Sequence, residues 1–204
     1  AVATAWSDDP GLPGVAVAAA LRAAAGAMAR ERGEMQVELV WTGPPSEALG
    51  LRSTRAVLNE LVARSTERLL LVSYAAYDID DLVAALSQAA ARGVDIDLVL
   101  ETKADGGLTV DAADAFHALR GGARFYRWPL DQRDAVVAGS ARLHAKCAVR
   151  DAAEVFVSSA NLTGAAINDN MEMGVLVRNG EVARRLHRHF ELLIEDGVLV
   201  TAPR

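Results

Sequence analysis

The sequence predicts an α/β protein built on a mixed, largely parallel sheet flanked by helices. Three observations carry that expectation. Leu69–Tyr74 and Val94–Leu100 are continuous apolar runs, suited to strands buried on both faces, and a segment of helical periodicity lies between them. A strand–helix–strand unit of that length implies parallel pairing through a crossover. Further on, three short strand-like segments follow one another from Leu143 to Arg178, and an amphipathic helix closes the chain.

The elements follow in order. Residues 1–14 hold two Asp, two Pro and two Gly and read as an irregular lead-in. Val15–Arg32 is Ala-rich and reads as a helix stopped by Gly33, either closely packed or a weakly attached arm. Gln36–Trp41 alternates as a strand, which T-G-P-P breaks. Ser53 is a candidate cap for a helix through Ser65 whose apolar face is Val57, Leu58, Leu61 and Val62. Arg52 and Arg55 stand at its start, where the helix dipole disfavours cations unless an anion is present. They are candidate phosphate or partner contacts, or ordinary surface arginines.

After the strand at Leu69–Tyr74, Asp78–Arg92 carries Ile79, Leu82, Val83 and Leu86 at helical spacing and stops at Gly93. Glu101 and Lys103 follow the strand Val94–Leu100, at the carboxyl end where open α/β sheets place ligands. Asp105-Gly106-Gly107 reads as a turn, Asp111–Leu119 as a short helix, Ala123–Trp128 as a strand, and Pro129–Ser140 as a polar, substrate-side loop. Glu181–Glu195 is a helix with Val182, Leu186, Phe190, Leu193 and Ile194 inward, and Gly197–Val200 a last short strand. His187 and His189, two apart on that helix, do not share a face and are not a metal pair.

The stretch richest in chemistry runs from Arg142 to Gly174. It reads H-x-K-x4-D-x6-S-S-x-N, with Glu172 eleven residues after Asn161. Leu143, Ala145, Cys147 and Val149 alternate with His144 and Lys146, so a strand would place the imidazole and the ammonium on one face. A second strand, Glu154–Val157, leads into Ser158, Ser159 and Asn161, and a third, M-E-M-G-V-L-V-R, puts Glu172 and Gly174 on one face. Lys146 and Asn161 supply donors for phosphate oxygens. His144 has a lone pair for attack on phosphorus near pH 7, and Glu172 is placed to hold the other ring N–H. No Asp or His cluster has metal-ligand spacing, so neither metal nor cofactor is expected.

This stretch resembles the H-x-K-x4-D-x6-G-S-x-N signature of the phospholipase D superfamily, and Asn170 with Glu172 matches the family's downstream N-x-E. Ser158 stands where the signature has Gly. The resemblance implies a phospholipase D-like fold, with residues 1–35 an N-terminal helical arm and 36–204 the catalytic domain. It implies a metal-independent phosphodiesterase with His144, Lys146, Asn161, Ser159, Glu172 and, in a supporting role, Asp151 as catalytic residues. Lys146 and Asn161, with Arg52 and Arg55, are the candidate substrate contacts. In the family two motifs form one site: one His attacks phosphorus and the other protonates the leaving oxygen. One motif per chain therefore implies a homodimer sharing the site. W-T-G-P, R-S-T-R-A-V-L-N-E-L, L-L-L-V-S-Y and R-G-V-D-I-D-L-V-L-E are similar to the phospholipase D-like component of bacterial DISARM phage-defence systems. That likeness implies DNA as substrate and other defence proteins as partners.

Composition bounds these readings. The 204 residues carry a formal charge of −6, so no global electrostatic case for nucleic acid exists, although arginines cluster before and after the motif. The single cysteine, Cys147, excludes an intrachain disulfide and reads as a small buried hydrophobe. There is neither a signal peptide nor an apolar run long enough for a bilayer, so no membrane partner and a cytoplasmic location are expected. The first residue is Ala, which leaves room for a preceding segment. Two alternatives stand beside the nuclease: a phospholipase, and a weak or inactive nucleic-acid-binding or assembly component of a defence complex.

Overall fold

The computed structural model describes residues 13–45, 48–106, 108, 111–119, 121–133 and 141–202; the irregular lead-in, save its last two residues, and the second part of the Pro129–Ser140 loop, 134–140, lie outside them. Contacts divide the chain into two units, Ala1–Gln36 and Val37–Arg204. The first holds helix α1 (Gly14–Glu34), whose described side chains are exposed or half-buried. It lacks a side-chain cap, and the carbonyl of Pro13 takes the N–H of Ala16 at 2.8 Å instead.

The second unit is a mixed eight-stranded sheet with helices on both faces. Its strands are β1 (Gln36–Thr42), β2 (Arg68–Ser73), β4 (Asp95–Leu100), β5 (Arg124–Arg127), β6 (Cys147–Arg150), β7 (Glu154–Ser158), β9 (Glu172–Arg178) and β10 (Val200–Thr201). They lie in the order β1-β9-β7-β6-β2-β4-β5-β10. Two short strands, β3 (Ala76–Tyr77) and β8 (Leu162–Thr163), pair in parallel beside it. The α/β class is as expected, but the share of parallel pairing is smaller. Within the large sheet β2–β4 and β4–β5 are parallel. The pairs β2–β6, β6–β7, β7–β9 and β5–β10 are antiparallel. The reason is local. β6, β7 and β9 follow at short separations without a full crossover helix between them, so they fold back on one another.

One face is covered by α2 (Thr54–Arg64) and α3 (Asp80–Ala91). Val57, Leu58, Leu61 and Leu86 meet Leu69, Leu71, Ile96, Leu98 and Leu100 there. Ser53 caps α2, accepting the Ala56 N–H at 3.2 Å. Asp80 and Asp81 in the first turn of α3 suit the positive end of its dipole. The other face is covered by α6 (Gly180–Glu195), whose Ala183 and Phe190 pack on Leu70, Val72, Val99, Val149 and Val155. Leu186, Phe190, Leu193 and Ile194 face the sheet as expected. Val182 is exposed, with Ala183 packed inward in its place, and His187 is buried beside Glu191, its Nδ1 3.2 Å from Oε1.

Lys103–Gly106 forms one helical turn, α4, where only a turn was expected; the short helix expected at Asp111–Leu119 is present as a 3-10 helix, Ala112–Leu119, and a short α5 (Gly164–Asn168) precedes β9.

Candidate active site

The sheet topology brings the motif to one end. β6 is antiparallel to β2, β7 to β6, and β9 to β7. The start of β6, the end of β7, the start of β9 and the carboxyl end of β2 therefore coincide. The ladder places Cys147 opposite Val157 and Ser158 opposite Gly174, so Lys146, Ser158 and Gly174 sit at one level. Ser158 N–H donates to the carbonyl of Lys146 at 3.2 Å, which locks that level.

His144 and Lys146 lie before the first ladder residue of β6, on an extended lead-in rather than in the strand. Alternation persists in part: Leu143 is buried among the apolar residues under α6, but Ala145, expected inward, is exposed. The Lys146 Nζ is 3.0 Å from His144 Nδ1 and 2.8 Å from the His144 carbonyl. With an ammonium as donor, Nδ1 accepts and the ring proton lies on Nε2. Tyr74, just past β2, is centred 5.2 Å from the His144 ring and 5.9 Å from Lys146 Nζ. Burial holds the Lys146 pKa below its usual value, and the Glu172 charge opposes that shift, so the two groups feel each other.

Glu172 does not take the expected tautomer-fixing contact. Its Oε2 accepts the Ser159 hydroxyl in a short bond, and its Oε1 faces Asn170 Nδ2 at 3.4 Å. Ser159 is fixed in turn by Met173, whose N–H donates to its Oγ at 3.1 Å. Asn161 follows, and the N–H of Leu162 donates to the buried Ser73 hydroxyl at 3.0 Å, tying this loop to the end of β2. The Asn161 Oδ1 is buried without a partner among the described residues. That leaves an acceptor aimed at nothing among the described residues, which is costly unless another group satisfies it.

Ser158 needs none of the freedom of the signature Gly. Its φ is not positive, and its hydroxyl donates to the Met173 carbonyl at 3.2 Å and accepts the Ala160 N–H at 3.0 Å. Gly174 opposite is the constrained one: an added Cβ would lie 2.5 Å from the Phe156 ring. The space over Gly174 is therefore filled by Phe156 and is not open.

Asp151 is not brought to this group. It sits at the far end of β6, on the order of 20 Å along the chain from His144. There it accepts the N–H groups of Thr66, Glu67 and Arg68 and so caps the entry to β2. Arg52 and Arg55 likewise meet carboxylates rather than the site. Arg52 pairs with Glu38 and Glu60, part of a network with Arg64, Arg150, Glu154 and Arg178 at the end of the sheet away from His144. Arg55 pairs with Asp81 and contacts Asn168. Cys147 is held by burial as a thiol with pKa pushed up to about 12. Among the described residues no three His, Cys, Asp or Glu are grouped as a metal ion would need.

A family model described as "Cardiolipin synthase, PLD-like domain" matches residues 58–194, well over half the chain. The chain belongs to the phospholipase D-like family. That superfamily consists of phosphodiesterases. The DISARM protein DrmC of Bacillus paralicheniformis is 28% identical over 145 residues, which is 71% of this phospholipase D-like chain and 58% of that relative's length. The chain thus spans somewhat more than half of the curated relative. Among solved structures, the phospholipase D family member Nuc from Salmonella typhimurium superposes with a TM-score of 0.63 at 20% identity, covering 84% of this chain and all of Nuc. NucT from Helicobacter pylori gives 0.61 at 15%, covering 82% and all of NucT. These likenesses confirm the phospholipase D-like fold.

Sequence reasoning missed Tyr74, Ser73 and Arg133 as residues around the site, and read Glu101 as ligand-facing when it is fully buried. Tyr74 ends an apolar run and carried no signal of its own. The others act through contacts between distant segments.

Proposed function

We propose that this chain is a metal-independent phosphodiesterase that cleaves nucleic acid, DNA foremost, at a site shared by two copies, and that it serves in phage defence beside other proteins. The observation that carries the reading is the Lys146 ammonium 3.0 Å from the His144 imidazole, at the sheet end that also holds Ser159, Asn161 and Glu172. An arriving phosphate draws Lys146 onto a non-bridging oxygen, and the ring moves its proton to Nδ1 and frees Nε2. Nε2 attacks phosphorus, the P–O bond to the leaving alkoxide breaks, and that oxygen takes a proton from the second copy's His144. Water then attacks phosphorus and gives a proton to that now neutral ring. The P–N bond breaks and His144 is restored. Lys146 and Asn161 stabilise the charge on the equatorial oxygens in place of a metal. The defence role draws support from the DrmC likeness.

The test is incubation of supercoiled DNA, RNA, a chromogenic phosphodiester and phospholipid vesicles with the protein in EDTA, beside His144→Ala. Cleavage of DNA by the wild type alone is expected. Turnover of vesicles alone would move the substrate to lipid. No turnover of any substrate by a folded protein would leave a binding or assembly component. Sharing is tested by co-refolding equal amounts of wild type and His144→Ala. If each site needs both histidines, activity falls to about one quarter of the same total amount of wild-type protein, against about one half for independent sites. Sedimentation as monomer under active conditions would sink the shared site.

A further inference from the structure

One buried ion pair ties three segments of the fold together just before the motif. Glu101 follows β4 and is fully buried; the Arg133 side chain is 1% exposed. The two Glu101 oxygens are both used: Oε1 accepts Arg133 Nη2 at 2.8 Å, and Oε2 accepts the backbone N–H of Leu143 at 2.7 Å. Arg133 spends its other donors on carbonyls. Nη1 reaches Asp105 at 2.8 Å and Ala141 at 2.9 Å, and Nε reaches Trp128 at 3.2 Å. No donor or acceptor is left over for a substrate, so the pair is not a ligand site.

A fully desolvated pair of this kind is weak evidence for stability, because apolar residues of similar volume often do as well. What the pair holds is more telling. Its contacts end on Ala141 and Leu143, the residues immediately ahead of His144. The ladder between β2 and β6 begins only at Cys147, opposite Val72. His144 therefore lies three residues beyond the last sheet pairing and has no strand neighbour to fix its backbone. The Leu143 side chain is anchored in the apolar cluster under α6 while its N–H is anchored on Glu101.

We propose that Glu101 and Arg133 are positioning residues: a buried clamp that replaces the missing ladder and sets the His144 ring against Lys146 and the phosphate position. The proposal rests on His144 being the reacting group, but its structural half stands apart from that reading. Misplacing a reacting atom by about 1 Å costs on the order of 100-fold in rate. Glu101→Gln keeps the shape but cannot accept from both Arg133 and Leu143, since one of its two positions becomes a donor.

The test compares wild type, Glu101→Gln, and the double variant Glu101→Leu/Arg133→Met, which removes both charges and guards against an unpaired buried ion. Glu154→Gln serves as a control for a buried glutamate at the other end of the sheet. The expected result is a fall in kcat on a chromogenic phosphodiester of 10- to 100-fold for both clamp variants, with KM within about twofold, while the control keeps its kcat. The Leu143 amide should lose hydrogen-exchange protection, and the His144 side-chain resonances should shift. Clamp variants that fold and retain kcat within about twofold would overturn the proposal. If the wild type turns over nothing, the catalytic reading fails by itself. Unchanged Leu143 protection and His144 resonances would then sink the clamp, and changed ones would uphold it.

Discussion

Asp151 shows how one side chain in a recognised motif can serve the fold. Burial works against its charge, but the N–H groups of Arg68, Glu67 and Thr66 outweigh it and hold its pKa below the ordinary 3.8. Because the folded value is the lower one, its contribution is present above about pH 4 and drains as pH falls through the folded pKa. Asp151→Asn should cost about 2–4 kcal/mol at neutral pH in denaturant titration, with the difference from wild type shrinking in acid. It should leave kcat nearly unchanged in the protein that remains folded. Gly174 makes the complementary case. Gly174→Ala drives a methyl into the Phe156 ring, and overpacking of that kind costs about 1–3 kcal/mol, measurable as a lowered Tm. The Phe156 ring on β7 packs against Gly174, two residues from Glu172 on β9, so activity should fall with it.

Among the elements, α6 is held to the sheet by packing and started by a cap. The Asn179 Oδ1 accepts the N–H groups of Glu181 at 3.0 Å and Val182 at 3.1 Å. Asn179→Ala should cost about 1 kcal/mol by chemical denaturation, and should not alter the pH profile of activity. The strands carry a different lesson. Glu154 at the start of β7 pairs with Arg150 on β6 and Arg178 on β9, and Arg178 reaches Glu38 on β1. Much of the arginine content that suggested a nucleic-acid surface is consumed in this way. Arg124 pairs with Asp97, Arg127 with Asp105, and Arg188 with Glu195. A DNA contact surface would have to be sought around the motif end itself.

For the molecule as a whole, the residues readable in advance were those fixed by local spacing. The apolar face of α2 and the crossover between β2 and β4 follow from period and turn chemistry, whereas His144 and Lys146, expected in a strand, lie ahead of it. Glu101 and Arg133, the tie from Ser73 to Leu162, and the pairing of Arg52 with Glu38 join segments far apart in sequence, and nothing local announces them. The same separation of near and far governs assembly. β2 pairs on one side with β4, its close successor, and on the other with β6, much later in the chain. Closing the longer loop is entropically dearer, so the β2–β4–β5 half should gain protection first in pulsed hydrogen exchange, and the amides of β6, β7 and β9 later. In a ribosome-bound chain the group at the motif end would then not exist until the last third had emerged and docked.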